Sequence, residues 1–369
     1  MRKDVPIKLK GERVWRPFLG GREIDRLHGE FPGTDDVFPE EWILSAVSAK
    51  NVGREDIPEG VCKTDDREHM GFDRYLESYA DTALSEAHRE KFGTSPGVLI
   101  KMIDASVRLP LQVHPDQETA GRLFHSQFGK TECWHIISVR EDSPEPPVLY
   151  LSFREDADPE QWKQAFYDQD VDKMLSMLNA VPAIPGETIL VRGGAPHAIG
   201  AGCALIEIQE PTDLTIRLEK VTPSGARLSD QACHQGLGFE KMFECFHFEG
   251  YSLEQALQEM RISPKTVYSG ENTSITELVG YGQTHCFAMD RMEIRTGLER
   301  GHTGEFTGYY VLSGEGTILS GDFSMELAPC DQIYVPAACK QYTLVNRGAE
   351  KLVLLCLHGP EIAQEGKEK

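Results

Sequence analysis

Leu111-Gln-Val-His-Pro-Asp116, followed by Lys130-Thr-Glu-Cys-Trp-His135, puts histidines and a carboxylate on neighbouring apolar runs of a 369-residue chain. Residues two apart on a strand face the same way, so Gln112 and His114 share one face, as do Lys130 and Glu132. A third run, Glu187-Thr-Ile-Leu-Val191, leads into Pro196-His197-Ala198. Two imidazoles, one carboxylate and one carboxamide are thereby placed to converge inside a small β-barrel. That donor set suits a borderline divalent metal such as zinc, with an open position for water or substrate. The competing reading is a pair of unrelated surface or core histidines. His135 is the nearest rival ligand, but it stands three residues from Glu132 and so faces the other way. His125, in a polar segment, reads as a rim residue. Asp116 reads as a brace for the turn or for a ligating imidazole.

Arg217 lies in the apolar alternation Leu214-Thr-Ile-Arg-Leu218, a costly place for a cation without an anion. A partner carboxylate is one account; a substrate phosphate or a developing enediolate oxygen is the other. One metal, a cation on either side and a water-excluding cavity would suit moving a proton next to a carbonyl.

Lys and Arg total 38 against 59 Asp and Glu, a formal net charge of -21. Such an excess repels phosphate polymers, which excludes nucleic acid as a partner. An anionic substrate would need local cations, for which Lys130 and Arg217 are the candidates. The nine cysteines form no CxxC pair, and no apolar stretch follows Met1-Arg-Lys-Asp4. These features read as reduced thiols in a cytoplasmic protein, with no run long enough to span a bilayer and no membrane partner. The sequence carries no specific pairing signal for an oligomer.

Helical spacing of Phe72, Leu76, Tyr79, Ala83, Leu84 and Ala87 predicts a helix over 72–91. Asp158-Pro159 predicts a capped helix start, with a further helical turn or two over 170–178. Elsewhere the first 220 residues read as strands and their connections, with 50–68 a loop and 117–127 a short helix or a loop. From about Thr276 the strands are short and closely spaced, the pattern of a small antiparallel barrel or jelly roll. Gly186-Glu-Thr-Ile-Leu-Val191 parallels Cys330-Asp-Gln-Ile-Tyr-Val335, which predicts two related barrels. The first has His197 just beyond the repeat. Near the second, only His285 and His302 were weighed, and His302 reads as a loop residue, so that barrel is expected to be metal-free.

In the same stretches the chain resembles the class I mannose-6-phosphate isomerases, the metal-dependent cupin-fold phosphomannose isomerases, particularly the shorter bacterial type. The resemblance rests on Phe18-Leu-Gly-Gly21, Glu41-Trp-Ile-Leu-Ser45, Leu99-Ile-Lys-Met-Ile-Asp-Ala105, Leu111-Gln-Val-His-Pro-Asp116, Gly129-Lys-Thr-Glu-Cys-Trp134, Pro196-His-Ala-Ile-Gly-Ala-Gly202, Leu205-Ile-Glu-Ile-Gln209 and Asp213-Leu-Thr-Ile-Arg217. It implies one zinc per chain held by Gln112, His114, Glu132 and His197, with Arg217 catalytic and Lys130 helping to hold the substrate. It implies reversible interconversion of mannose 6-phosphate and fructose 6-phosphate through an enediol. The implied fold is mainly β: two cupin (jelly-roll) barrels with a small helical insert. A catalytic metal-binding domain over 1–220 would precede a linker and second, metal-free barrel over 221–369.

The chain departs from the family at Leu109-Pro-Leu-Gln-Val-His-Pro115, where Pro110 stands in place of a serine whose hydroxyl helps bind the substrate phosphate. Proline removes that hydroxyl and a backbone donor as well. Two alternatives therefore stand beside the sugar-phosphate reading. One is the same chemistry on another or unphosphorylated aldose. The other is a sugar-binding cupin without turnover.

Overall fold

The computed structural model describes residues 3–51, 53–301 and 304–362. His302 lies outside the described residues. The fold is mainly β, as the strand patterns predict, and four sheets carry it. The first pair consists of a seven-stranded sheet and a six-stranded sheet. Between them lie Ile103, Trp134, Ile136, Ile189 and Leu205 from one sheet and Leu149, Leu151, Val181 and Ile199 from the other. An eight-stranded and a four-stranded sheet enclose a second core, which includes Met292, Tyr309, Val311 and Leu354 against Ile318, Tyr342 and Leu344.

The two sandwiches pack back to back. Ile43, Ile100, Met102, Ile206 and Ile208 meet Met289, Tyr310, Tyr334, Leu355 and Leu357 in one core. The seven-stranded sheet thus has protein on both faces. This explains why Leu99–Asp104 and Cys203–Gln209 are buried at every position rather than at alternate ones. Helices Pro159–Asp168 and Val171–Ser176 cover the outer face of the six-stranded sheet through Trp162, Phe166 and Met174. Asp158 caps the first of them, its carboxylate accepting from the backbone N–H groups of Glu160 and Gln161.

The repeat seen in the sequence extends to topology. Thr188–Val191, Glu132–Val139, Cys203–Gln209, Leu99–Asp104 and Glu40–Ile43 lie side by side in that order. Gln332–Val335, Thr307–Ser313, Leu352–His358, Ala288–Ile294 and Thr273–Val279 lie in the matching order. Gly186 and Cys330, which open the two repeated segments, both have positive φ, 88° and 68°.

Two features depart from the sequence reading. The N-terminal strand Ile7–Lys10 crosses to the eight-stranded sheet and pairs with Gln332–Val335, taking Lys63–Thr64 with it. The helix expected over 72–91 is three short helices, Phe72–Ser78, Ala80–Ala83 and Glu86–Phe92. Leu84 is extended, and Ser85 starts a new helix by accepting from the His88 N–H. The break leaves the Ala83 carbonyl free to accept from Tyr334 Oη at 2.7 Å and from the Ala337 N–H at 3.0 Å. Tertiary hydrogen bonds to the second barrel thus replace a continued helical ladder.

The packing between the sandwiches predicts where stability lies. Ile208→Ala, at the fully buried centre of that interface, should cost about 2–5 kcal/mol in urea unfolding. Val267→Ala, on the exposed strand Lys265–Ser269, should change stability by less than about 0.5 kcal/mol. Equal costs at both positions would contradict an interface that carries the fold.

Candidate active site

Cross-strand partners in an antiparallel sheet point to the same side. Gln112 pairs with His197 on one flank and with Arg217 on the other, so these three form one row. Their neighbours Val113, Ala198 and Ile216 face the covering helices, which turns the row inward. His114 follows Gln112 by two and is almost fully buried. From the opposite sheet Glu132, completely buried, points into the same space.

His114 Nε2 lies 3.3 Å from Glu132 Oε2, and His197 Nε2 lies 3.2 Å from Glu132 Oε1. The other ring nitrogens fix the tautomers. His114 Nδ1 is 2.9 Å from the Leu214 carbonyl, and His197 Nδ1 is 2.9 Å from the Ala195 carbonyl. A carbonyl only accepts, so each Nδ1 carries the proton and each Nε2 presents a lone pair to the carboxylate. Burial, then the Lys130 charge, pushes the His114 pKa down to about 3, and burial lowers that of His197, so neither ring supplies a second proton. Burial opposes the charge on Glu132, but the Lys130 ammonium outweighs it and holds its pKa well below the usual range.

Acceptors facing acceptors require a cation between them. Lys130 Nζ meets half of that need, 2.7 Å from His114 Nε2 and 2.5 Å from Glu132 Oε2. The other half, Glu132 Oε1 and His197 Nε2, is buried without a hydrogen-bond partner. His114, Glu132 and His197 present ligand atoms within 4.8 Å of one another and could hold a metal ion. Their nitrogen and carboxylate donors fit zinc, and Gln112 beside His197 offers a further oxygen.

Three loops bring these ligands together, and glycines let them touch. A Cβ on Gly129 would come within 2.7 Å of the Asp116 backbone, and one on Gly193 within 2.6 Å. The Lys130 N–H donates to the Pro115 carbonyl and the Gly194 N–H to the His114 carbonyl. Asp116 braces this corner. It caps helix Gln117–Phe124 through the Thr119 N–H and pairs with His247 Nε2 at 2.8 Å.

A narrow polar cavity adjoins the ligands, lined by Arg16, Glu40, Lys101, Pro110, Gln112, Lys130, Glu207, Asp213 and Arg217 among others. Glu207 accepts from Trp134 Nε1 at 3.0 Å and from Lys101 Nζ at 3.1 Å. Burial, then the charge of Glu132, raises its pKa. Arg16 donates to Glu40 at 2.8 Å and lies 3.5 Å from Asp213. Arg217 donates only to the carbonyls of Ala232 at 3.1 Å and Thr215 at 3.4 Å. Among the described residues no carboxylate forms an ion pair with it within 4.0 Å; the charge of Asp213 acts on it from further off. His135 faces away, with Nδ1 3.0 Å from Thr188 Oγ1, and His125 sits at the end of helix Gln117–Phe124. The sequence reading missed Arg16, Glu40, Lys101 and Asp213 as cavity residues. Glu207 lies in the run Leu205-Ile-Glu-Ile-Gln209 quoted above, to which no role was given.

No protein-family model matches the chain. It is 27% identical over 264 residues to the probable mannose-6-phosphate isomerase GmuF of Bacillus subtilis, covering 70% of this chain and 76% of that one. The crystal structure of the mannose 6-phosphate isomerase from Bacillus subtilis superposes with a TM-score of 0.70 at 22% identity, over 96% of this chain and 99% of the other. A zinc-bound mannose 6-phosphate isomerase gives 0.71 at 14% identity, over 97% and 100%. The resemblance to class I mannose-6-phosphate isomerases is thus met again in relatives and in fold.

Two outcomes follow from the geometry. Gly193→Ala should push the His197 loop off Asp116 and weaken zinc binding by 10-fold or more, about 1.4 kcal/mol, in a competitive chelator titration. Undiminished affinity would show that the close approach does not position the ligands. Asp213 is buried, and Arg16, then Lys101 and Arg217, outweigh burial to hold its pKa at about 2. Its unfolded value is about 3.9, so its stabilisation is present above pH 4 and is lost as pH falls towards 2. Asp213→Asn should cost about 2 kcal/mol at pH 7, with the gap closing below pH 4 in urea unfolding. A gap independent of pH would contradict the charge pairing.

Proposed function

We propose that this chain is a zinc-dependent isomerase that interconverts mannose 6-phosphate and fructose 6-phosphate through an enediol. The observation that carries the reading is the pair of unpartnered buried ligand atoms, Glu132 Oε1 and His197 Nε2, beside an arginine without a carboxylate partner. The relatives and the zinc-bound structural neighbour support the same assignment. Zinc would be held by Gln112, His114, Glu132 and His197, one ion at this site. When bound it would supply a Lewis acid that polarises a sugar oxygen.

The chain's own residues do the rest. Arg217 lies in the row with Gln112 and His197, where its guanidinium would meet the negative charge that develops on an enediolate oxygen. Lys130, now folded onto His114 and Glu132, would turn to a substrate oxygen once a metal takes up those acceptors. Glu207 is the cavity carboxylate whose pKa is raised, which suits a group that takes a proton from C2 and returns it at C1. Lys101 and Trp134 hold it in place. The catalytic part is assigned to 1–220 and the second barrel to 221–369. The strands at 250–251 and 261–262 extend the first pair of sheets. The cysteines form no disulfide among the described residues, which supports a reducing, cytoplasmic location.

A second reading, isomerisation of another or unphosphorylated aldose, is favoured by the segment around Pro110. Pro110 lines the cavity and has neither hydroxyl nor N–H. The flanking donors are already used: the Leu109 N–H on the Ile199 carbonyl at 2.9 Å, and the Leu111 N–H on Glu219 at 2.6 Å.

Turnover of mannose 6-phosphate and of free mannose by zinc-loaded protein, each with a chelated control, tests both readings. Chelator-sensitive conversion of the phosphorylated sugar is expected, and Arg217→Ala should lower kcat by about 10²–10³-fold while sugar binding persists. Conversion of free mannose alone would transfer the assignment to the second reading.

A further inference from the structure

Five strands of the second barrel repeat the order of five in the first, so its inner face has a counterpart of the row that lines the active-site cavity. In the first barrel Trp134, Glu207 and Lys101 form one cross-strand row on the inner face. The corresponding row in the second is Tyr309, Cys356 and Asp290. His358 follows Cys356 by two and so shares its face; it pairs with Ala288 as Gln209 pairs with Leu99. The sequence reading passed over His358 because it closes an apolar run, Leu352–His358.

We infer that the second barrel carries its own metal site, built from the Cys356 thiolate, the His358 imidazole and the Asp290 carboxylate, for a zinc-like divalent cation. Their ligand atoms lie within 4.8 Å of one another. His358 Nε2 is 3.3 Å from Cys356 Sγ and 3.5 Å from Asp290 Oδ2. One nitrogen faces both partners, which rules out a relay in which the two ring nitrogens serve different groups. In a tetrahedral zinc site, bonds of about 2.3 Å to sulfur and about 2.0–2.1 Å to nitrogen and oxygen set S···N near ~3.6 Å and N···O near ~3.4 Å. The observed separations match these with little movement. Cys356 is fully buried, whereas Asp290 and His358 retain 21% and 22% of their side-chain exposure, so an ion has a way in. Arg300, hydrogen-bonded to Tyr342, places a positive charge near Cys356. With three protein ligands, water completes the coordination.

The two sites differ in one observable way: only the second has sulfur. Cobalt(II) titration of the metal-stripped full chain therefore reads them separately, because a thiolate-to-cobalt charge-transfer band in the near ultraviolet can arise only where sulfur binds. Two equivalents are expected, one giving the band. Cys356→Ser should abolish the band, and His358→Gln should weaken the cobalt affinity it reports by 10-fold or more. Glu132→Ala should remove the other equivalent and leave the band. A wild-type protein without the band, or a band that survives Cys356→Ser, overturns the site and leaves a hydrogen-bonded Cys–His–Asp cluster. Should the buried Cys356→Ser fail to fold, His358→Gln alters a partly exposed position, and an unchanged band affinity there overturns the site equally.

Discussion

The seven-stranded sheet is covered by the six-stranded sheet on one face and by the eight-stranded sheet on the other. A charged side chain on its central strands has no route to bulk water and must find an opposite charge or hydrogen-bond partners inside. Most do. Lys101 meets Glu207, Arg16 meets Glu40 and Asp213, and Trp42 and Trp134 donate to Glu40 and Glu207. Against that background, a fully buried carboxylate oxygen and imidazole nitrogen facing each other without a proton stand out. The fold tolerates such repulsion only where a cation neutralises it, so the same burial that orders the network also marks the metal position.

How much of this the sequence revealed depends on how far apart the partners lie. Gln112, His114 and Glu132 drew attention because strand alternation fixes a face within one short window, whereas His197, far along the chain, came from the Pro-marked corner after a third apolar run. Arg217 stood out by alternation as well. Arg16 was not legible, because Asp213 lies 197 residues away and reaches it only after the N-terminal arm has crossed the molecule. Lys101 and Glu207 sat in runs that looked like plain core strands, since a sheet buried on both faces shows no alternation. The broken helix over 72–92 has a similar cause: its apolar period is real, but the second barrel competes for the Ala83 carbonyl.

The two barrels show what one scaffold does with two sets of donors. Strand order and inner-face register are shared, while the row Trp134, Glu207, Lys101 is replaced by Tyr309, Cys356, Asp290. A lysine beside a carboxylate makes an ion pair that can sit next to a reacting sugar. A carboxylate beside a thiol, with an imidazole two residues on, offers soft and hard donors to a cation instead. The topology sets where inward-facing chemistry can stand, and the residue types set which chemistry it is.

Charge balance in the first cavity links metal to substrate. Arg16, Lys101, Lys130 and Arg217 face Glu40, Glu132, Glu207 and Asp213, so the protein charges alone nearly cancel. A phosphate monoester dianion entering that space would find no net attraction, and the 109–111 segment offers it no free backbone donor. A divalent cation held by Glu132 would add two positive charges and would take up the acceptors that now hold Lys130. It would thereby supply the electrostatic complement that a phosphorylated sugar requires. A neutral aldose requires only the Lewis acid and the hydrogen bonds. In the sugar-phosphate reading, phosphate selectivity would rest on side-chain cations made available by a bound metal, in place of the hydroxyl and N–H that Pro110 lacks.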